Sequence, residues 1–207
     1  MTLAPENPLV RKITTQENMK SVDDYIKKSA KRTERERMSD RKPLISGNWK
    51  MHHNHFEAIQ MVQSLSYQLN NDDYKACDVS VHPPFTNIRS IQTVLESDHI
   101  PIKLGAQHCH QEEKGAYTRE VSPRMLEKLN VKLVIVGHSE RRQVFGETDE
   151  LINNKIICAL EKDLSIILCV GESQEQRTAG KTFEVVQFQI NKALTGVKKD
   201  RLNRVFI

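Results

Sequence analysis

From Pro43 onward the chain keeps switching between two periods. Strand-sized apolar runs, rich in Val and Ile, fall at 44–48, 78–82, 102–107, 132–137, 165–170 and 204–207. Between them apolar residues recur every three to four positions, which predicts helices. One stripe is Phe56, Ile59, Val62, Leu65 and Leu69, and a second is Ile88, Ile91 and Leu95. Ser122 and Pro123 read as an N-cap and first-turn pair ahead of Met125, Leu126 and Leu129, and Ile152, Ile156, Ala159 and Leu160 form a further stripe. Such alternation leaves few folds open, because successive β-α-β crossovers make the strands parallel and require helices to cover the sheet. The stripes are expected to be core.

Two α/β architectures fit this order, an open doubly wound sheet and a closed eight-fold barrel. No GxGxxG follows the first strand, which argues against a dinucleotide site. Polar residues instead stand at the ends of strand after strand: Asn48 and Lys50, then Gln107, then His138 with Glu140, then Glu172. Functional groups drawn from the ends of several strands are the habit of the (β/α)8 barrel.

The 207 residues carry a formal charge of +4, and the segment 27–42 alone contributes +5 through eight Lys/Arg against three Asp/Glu. That segment lacks interleaved aromatic residues and includes Glu34, Glu36 and Asp40, so residues 1–42 are expected to be a flexible basic extension rather than a nucleic-acid-binding arm. Met38 stands a few residues before the first strand and is an alternative start. Residues 43–207 are read as the folded domain. The first twenty residues hold no apolar signal-like core and no apolar run reaches membrane-spanning length, so a cytoplasmic protein without membrane partners is expected. Cys77, Cys109, Cys158 and Cys169 form no CxxC pair and are read as reduced thiols. His108 and His110 would share one face of a strand, and His52, His53 and His55 cluster nearby in sequence. Neither group has further ligands at metal spacing, so no metal site is expected.

At the strand ends, an ammonium (Lys50), an amide (Asn48) and an imidazole (His138) suit an anionic substrate whose carbonyl is polarised while negative charge develops on its oxygen. Glu140 reads either as an ion-pair partner for Lys50 or as the carboxylate of a helix start.

Several stretches in one order carry a family resemblance: NWKM at 48–51, GAQ at 105–107, EKGAYT at 113–118, EVSPRML at 120–126, GHSERR at 137–142, FGETD at 145–149 and CVGESQEQRTAGKT at 169–182. From Pro43 to Ile207 the chain resembles the triosephosphate isomerases. The resemblance implies a (β/α)8 barrel, of which five β/α units and the start of strand six are present. It implies interconversion of dihydroxyacetone phosphate and glyceraldehyde 3-phosphate through an enediolate, in glycolysis and gluconeogenesis, with no metal or organic cofactor. Asn48 and Lys50 match the family's substrate-binding pair, with Lys50 also catalytic, and His138 matches its electrophilic histidine. Ser139, Glu140 and Thr118 match supporting positions. Residues 113–121 resemble the loop with which family members dimerise, Thr118 reaching the neighbouring subunit, so a homodimer is implied.

This sequence departs from the family pattern at three places. Arg119 stands where glycine is usual, at a turn expected to need positive φ. His108 replaces a frequent asparagine. The final RVFI resembles the opening of strand six, after which the family places its glutamate base, its mobile lid and its phosphate loops. The chain as it stands is therefore expected to turn over poorly and to be prone to aggregate at its strand edges. The alternative to an isomerase is a non-catalytic fragment or a degenerate paralogue.

Overall fold

The computed structural model describes residues 42–207, so the basic extension up to residue 41 and the alternative start at Met38 lie outside the described residues. The described chain forms two compact units, 42–105 and 106–207. Each repeats the same theme of strand, loop and covering helix.

The first unit runs β1 (Leu44–Asn48), α1 (His55–Gln68), α2 (Asn71–Ala76), β2 (Asp78–His82), α3 (Phe85–Ser97) and β3 (Lys103–Ala106), whose last residue opens the second unit. The strands are parallel. Leu44 pairs with Asp78 and Asn48 with His82 at the two ends of β1, and Ser80 and Val81 pair with Lys103 and Leu104. Val79 and Val81 are buried on one face of β2 and Ser80 and His82 on the other, the two-sided burial of a covered parallel strand. Ile88, Ile91 and Leu95 of α3 are buried as their spacing predicts. On α1 the buried face is Ala58, Val62 and Leu65, while Phe56 is 68% exposed. Two residues from Ala58 is about 200° around a helix, so Phe56 lies nearly opposite the face that packs.

The second unit runs α4 (Pro123–Lys128), β4 (Leu133–Val136), α5 (Ser139–Gln143), α6 (Asp149–Glu161), β5 (Ser165–Leu168), α7 (Gln174–Thr178), α8 (Thr182–Ala193), a 3-10 turn (Lys199–Arg204) and β6 (Val205–Phe206). Again the pairing is parallel, Leu133 to Ser165 through Val136 to Leu168, then Ile166 to Val205 and Ile167 to Phe206. Ser122 caps α4 by accepting the Met125 N–H, with Pro123 in the first turn, as the sequence predicts. Leu126 is buried there and Met125 is not. All four residues of β4 are buried, and Ile152, Ile156, Ala159 and Leu160 of α6 pack as a buried stripe, each large side chain contributing about 1.5–3 kcal/mol.

The α/β class and the strand-helix order read from the sequence are those of the structure. β1 and β2 have the bounds read from the sequence, and the other four strands end one or two residues earlier than their apolar runs. β3 stops at Ala106, so His108 and His110 belong to a loop and not, as the sequence reading had it, to one face of a strand.

Candidate active site

In the first unit the end of β1 is built by three consecutive residues with different tasks. Asn48 Oδ1 accepts the backbone N–H of Lys50 at 3.0 Å, turning the chain sharply. Trp49 is buried beneath that turn, and its N–H donates to the His82 carbonyl at 3.1 Å, fastening it to β2. Lys50 then has φ +53°, a left-handed conformation costing a non-glycine residue about 1–2 kcal/mol. The surroundings hold it there. The His53 ring meets Trp49 edge-on at 5.3 Å, the His53 carbonyl accepts from Asn87 Nδ2 at 2.8 Å, and Asn54 starts α1 with a capping box closed by Glu57. Asn48 and Lys50 are thus brought together at the carboxyl end of β1.

Under that turn lies a polar layer that sequence reasoning missed. Ser46 Oγ is 2.9 Å and Ser80 Oγ 3.2 Å from His82 Nε2, and Ser80 donates to Ser46 at 3.0 Å. His82 is fully buried and sits over Gly105, where an added Cβ would lie 2.2 Å from its ring. The available signal was small polar residues two apart on neighbouring strands.

In the second unit, GHSERR is a strand-to-helix turn in which most residues have a visible task. Gly137 ends β4 with φ +75°, and a Cβ there would meet the Cys169 carbonyl at 3.0 Å. His138 follows as the N-cap of α5, its Nδ1 accepting the Glu140 N–H at 3.3 Å. Accepting through Nδ1 assigns the ring proton to Nε2. Ser139 opens the helix, and Glu140 lies in its first turn with a carboxylate oxygen 3.6 Å from Nδ1. Arg142 ties the turn down, donating to the Gly137 carbonyl at 2.8 Å and to Asp149 at 2.6 Å.

Behind this turn Arg141 and Lys155 both donate to Glu147 Oε1, and the side chains of Lys155 and Glu147 are each only 3% exposed. Burial alone would raise the Glu147 pKa, but the hydrogen bonds from Lys155 and Arg141 outweigh it and hold the carboxyl below its usual range. Lys155 had no legible signal, being one more charged residue beside an apolar stripe.

The two imidazoles of the loop after β3 diverge. His108 is half-buried, its Nδ1 4.0 Å from Glu120 Oε2, whereas the His110 ring stacks on Tyr117 with centroids 4.3 Å apart. Burial, and then the nearby Arg141 and Lys155 cations, push the His108 pKa down to about 4. Among the described residues no group of three or more His, Cys, Asp or Glu could hold a metal ion. Thr118 is exposed, and the following Arg119 has φ +81°, the positive φ expected where the family keeps glycine. Glu172 accepts from Thr182 Oγ1 at 3.2 Å and lies 3.8 Å from Arg177, while Gly171 is held at both its N–H and its carbonyl by Gln189. No described helix is long and apolar enough to cross a membrane.

Comparison with known proteins bears on the same residues. The pattern describing the family "Triosephosphate isomerase" matches residues 43–207. Curated proteins named triosephosphate isomerase are similar over that region. One from Thermoanaerobacter pseudethanolicus is 51% identical over 167 residues, covering 81% of this chain and 65% of its own length. One from Corynebacterium efficiens is 50% identical over 167 residues (81% and 64%), and one from Streptomyces avermitilis 45% over 170 (82% and 66%). The chain thus spans about 65% of the length of the relatives it matches. With a family pattern running unbroken from the strand before Asn48 to the last residue, and the strand-helix order to go with it, this chain belongs to the triosephosphate isomerase family.

Proposed function

We propose that this chain supplies the substrate-binding and carbonyl-polarising part of a triosephosphate isomerase acting in the cytoplasm. The reaction moves a proton from the hydroxymethyl carbon of dihydroxyacetone phosphate to the adjacent carbonyl carbon, through an enediolate, to give glyceraldehyde 3-phosphate. The observation that carries this reading is the His138 tautomer. With Nδ1 engaged by the Glu140 N–H, the ring carries its proton on Nε2, and a neutral imidazole N–H is what polarises a carbonyl and then exchanges protons with the enediolate oxygens. Neutral histidine in that role is the family's own device. Lys50 supplies positive charge to an anionic substrate from a backbone position fixed by Asn48 and Trp49. Glu140 and Ser139 act through His138 by shaping the turn that holds it. Thr118, on the exposed 113–121 loop, would reach a second subunit, and a homodimer is part of the proposal.

A non-catalytic or degenerate paralogue is the second reading. One experiment separates the two. The chain is joined to the final third of the Thermoanaerobacter relative and assayed with dihydroxyacetone phosphate, with and without His138→Gln. An intact half-site gives enzyme-like turnover that His138→Gln lowers by about 10²–10³-fold in kcat with a smaller change in KM. No turnover from the joined chain would support the degenerate reading, and turnover indifferent to His138 would refute the assigned role. Sedimentation of the joined chain tests the dimer.

A further inference from the structure

Parallel register and side-chain alternation set His82 beside the Asn48–Lys50 turn. Asn48 pairs with His82 and Ser46 with Ser80, and positions two apart share one face of a strand, so these four fall together on the face opposite Val79 and Val81. The His82 ring then meets all three strands of its unit. Its Nε2 lies 2.9 Å from Ser46 Oγ on β1 and 3.2 Å from Ser80 Oγ on β2. Gly105 on β3 supplies the space the ring fills, since a Cβ there would come within 2.2 Å of Cε1 and Nδ1 and 2.7 Å of Nε2. The side chain is fully buried, and the backbone carbonyl of the same residue accepts the Trp49 N–H at 3.1 Å.

Lys50, at φ +53°, keeps its left-handed conformation only while its flanks are fixed. Two hydrogen bonds fix them directly: the Lys50 N–H to Asn48 Oδ1 at 3.0 Å, and the Trp49 N–H to the His82 carbonyl. The second is only as steady as the backbone of His82, and that backbone is held from three strands through the ring. We propose that the His82 side chain is a positioning residue for Lys50: bonded to Ser46 and Ser80 and seated over Gly105, it fixes the carbonyl that anchors Trp49, and so keeps the Lys50 turn in one conformation at the carboxyl end of β1. The consequence for turnover rests on the isomerase reading above, whereas the anchoring of the turn does not.

Trp49 is the chain's one tryptophan and is buried, so its emission and the exchange of its amide report the turn without any turnover. Its protection is followed relative to that of the Asp78 amide, which donates to the Pro43 carbonyl at 2.8 Å at the other end of the same strand pair. His82→Ala is expected to lower the Trp49-to-Asp78 protection ratio roughly 10-fold and to move the emission to longer wavelength. His82→Gln carries an amide that reaches the place of Nε2, and it is expected to keep the ratio within about threefold of the parent. Val79→Ala truncates the opposite face of β2 and is expected to lower the melting temperature while leaving the ratio and the emission unchanged. In the chain joined to the final third of the Thermoanaerobacter relative, assayed well below each variant's melting temperature, kcat/KM for dihydroxyacetone phosphate is expected to fall about 10–10²-fold in His82→Ala. It should recover in His82→Gln and hold in Val79→Ala. The inference is overturned if His82→Ala keeps the parent's ratio and emission, if His82→Gln does no better than His82→Ala, if Val79→Ala alters the ratio equally, or if an active joined chain keeps its kcat/KM without the ring. A joined chain that does not turn over counts against the isomerase reading alone, and the Trp49 measurements still decide whether the ring holds the turn.

Discussion

Gly105→Ala is a one-methyl change whose cost can be worked out beforehand. The added Cβ would lie 2.2 Å from His82 Cε1 and Nδ1, and ordinary contact begins near 3.4 Å, so the ring must withdraw by about 1.2 Å. It has nowhere open to go, being fully buried and tied through Nε2 to Ser46 and Ser80. Overpacking of this kind costs about 1–3 kcal/mol. Pulling a buried ring off its hydroxyl partners adds about 1–3 kcal/mol, giving roughly 2–6 kcal/mol altogether. The assay is a double-mutant cycle in urea, with Gly105→Ala, His82→Ala and the pair. In the His82→Ala background the methyl group enters the space the ring vacated, so Gly105→Ala should cost under about 1 kcal/mol there and the coupling should exceed about 1 kcal/mol. A single Gly105→Ala variant within about 0.5 kcal/mol of the parent would refute the argument. So would equal costs in both backgrounds, since the clash would then be with something other than His82.

Glu147→Gln should cost about 3–5 kcal/mol, because it leaves Lys155 and Arg141 beside a neutral amide in a buried site, and a loss below about 1 kcal/mol in chemical denaturation would contradict the network described. The same carboxyl has a folded pKa below its unfolded value of 4.5, so its contribution is complete above that value and disappears as pH falls through the folded pKa. Acid titration of stability should therefore be shallower in Glu147→Gln than in the parent. Arg119→Gly should leave stability unchanged or raise it by up to about 1 kcal/mol, as relief at φ +81° outweighs the added freedom of the unfolded chain, and a drop of more than about 1 kcal/mol would show that the arginine side chain matters more than its backbone.

Local sequence determined a good deal of this protein, because local rules govern those parts. The period changes located all six strands to within two residues, and Ser122-Pro123 marked a helix start, since strand burial and helix capping are set by neighbours a few positions away. Asn48, Lys50 and His138 stood out because a polar residue directly after an apolar run leaves little choice about which end of a strand it occupies. Periodicity alone went astray at Phe56, where hydrophobicity marked a face that packing gave to Ala58, and at His108 to His110, where the strand ended too soon to set two rings side by side. Only tertiary structure decided the rest. Ser46, Ser80 and His82 are joined across two strands by a parallel register that no local pattern encodes, and the glycine at 105 has its reason in a ring 23 positions earlier in the chain. The buried Glu147 binds Arg141 from one helix and Lys155 from another, and burial, followed by the cations of those two helices, pushes the His108 pKa down. Electrostatics in a buried site depends on distance through space, and distance along the chain does not predict it.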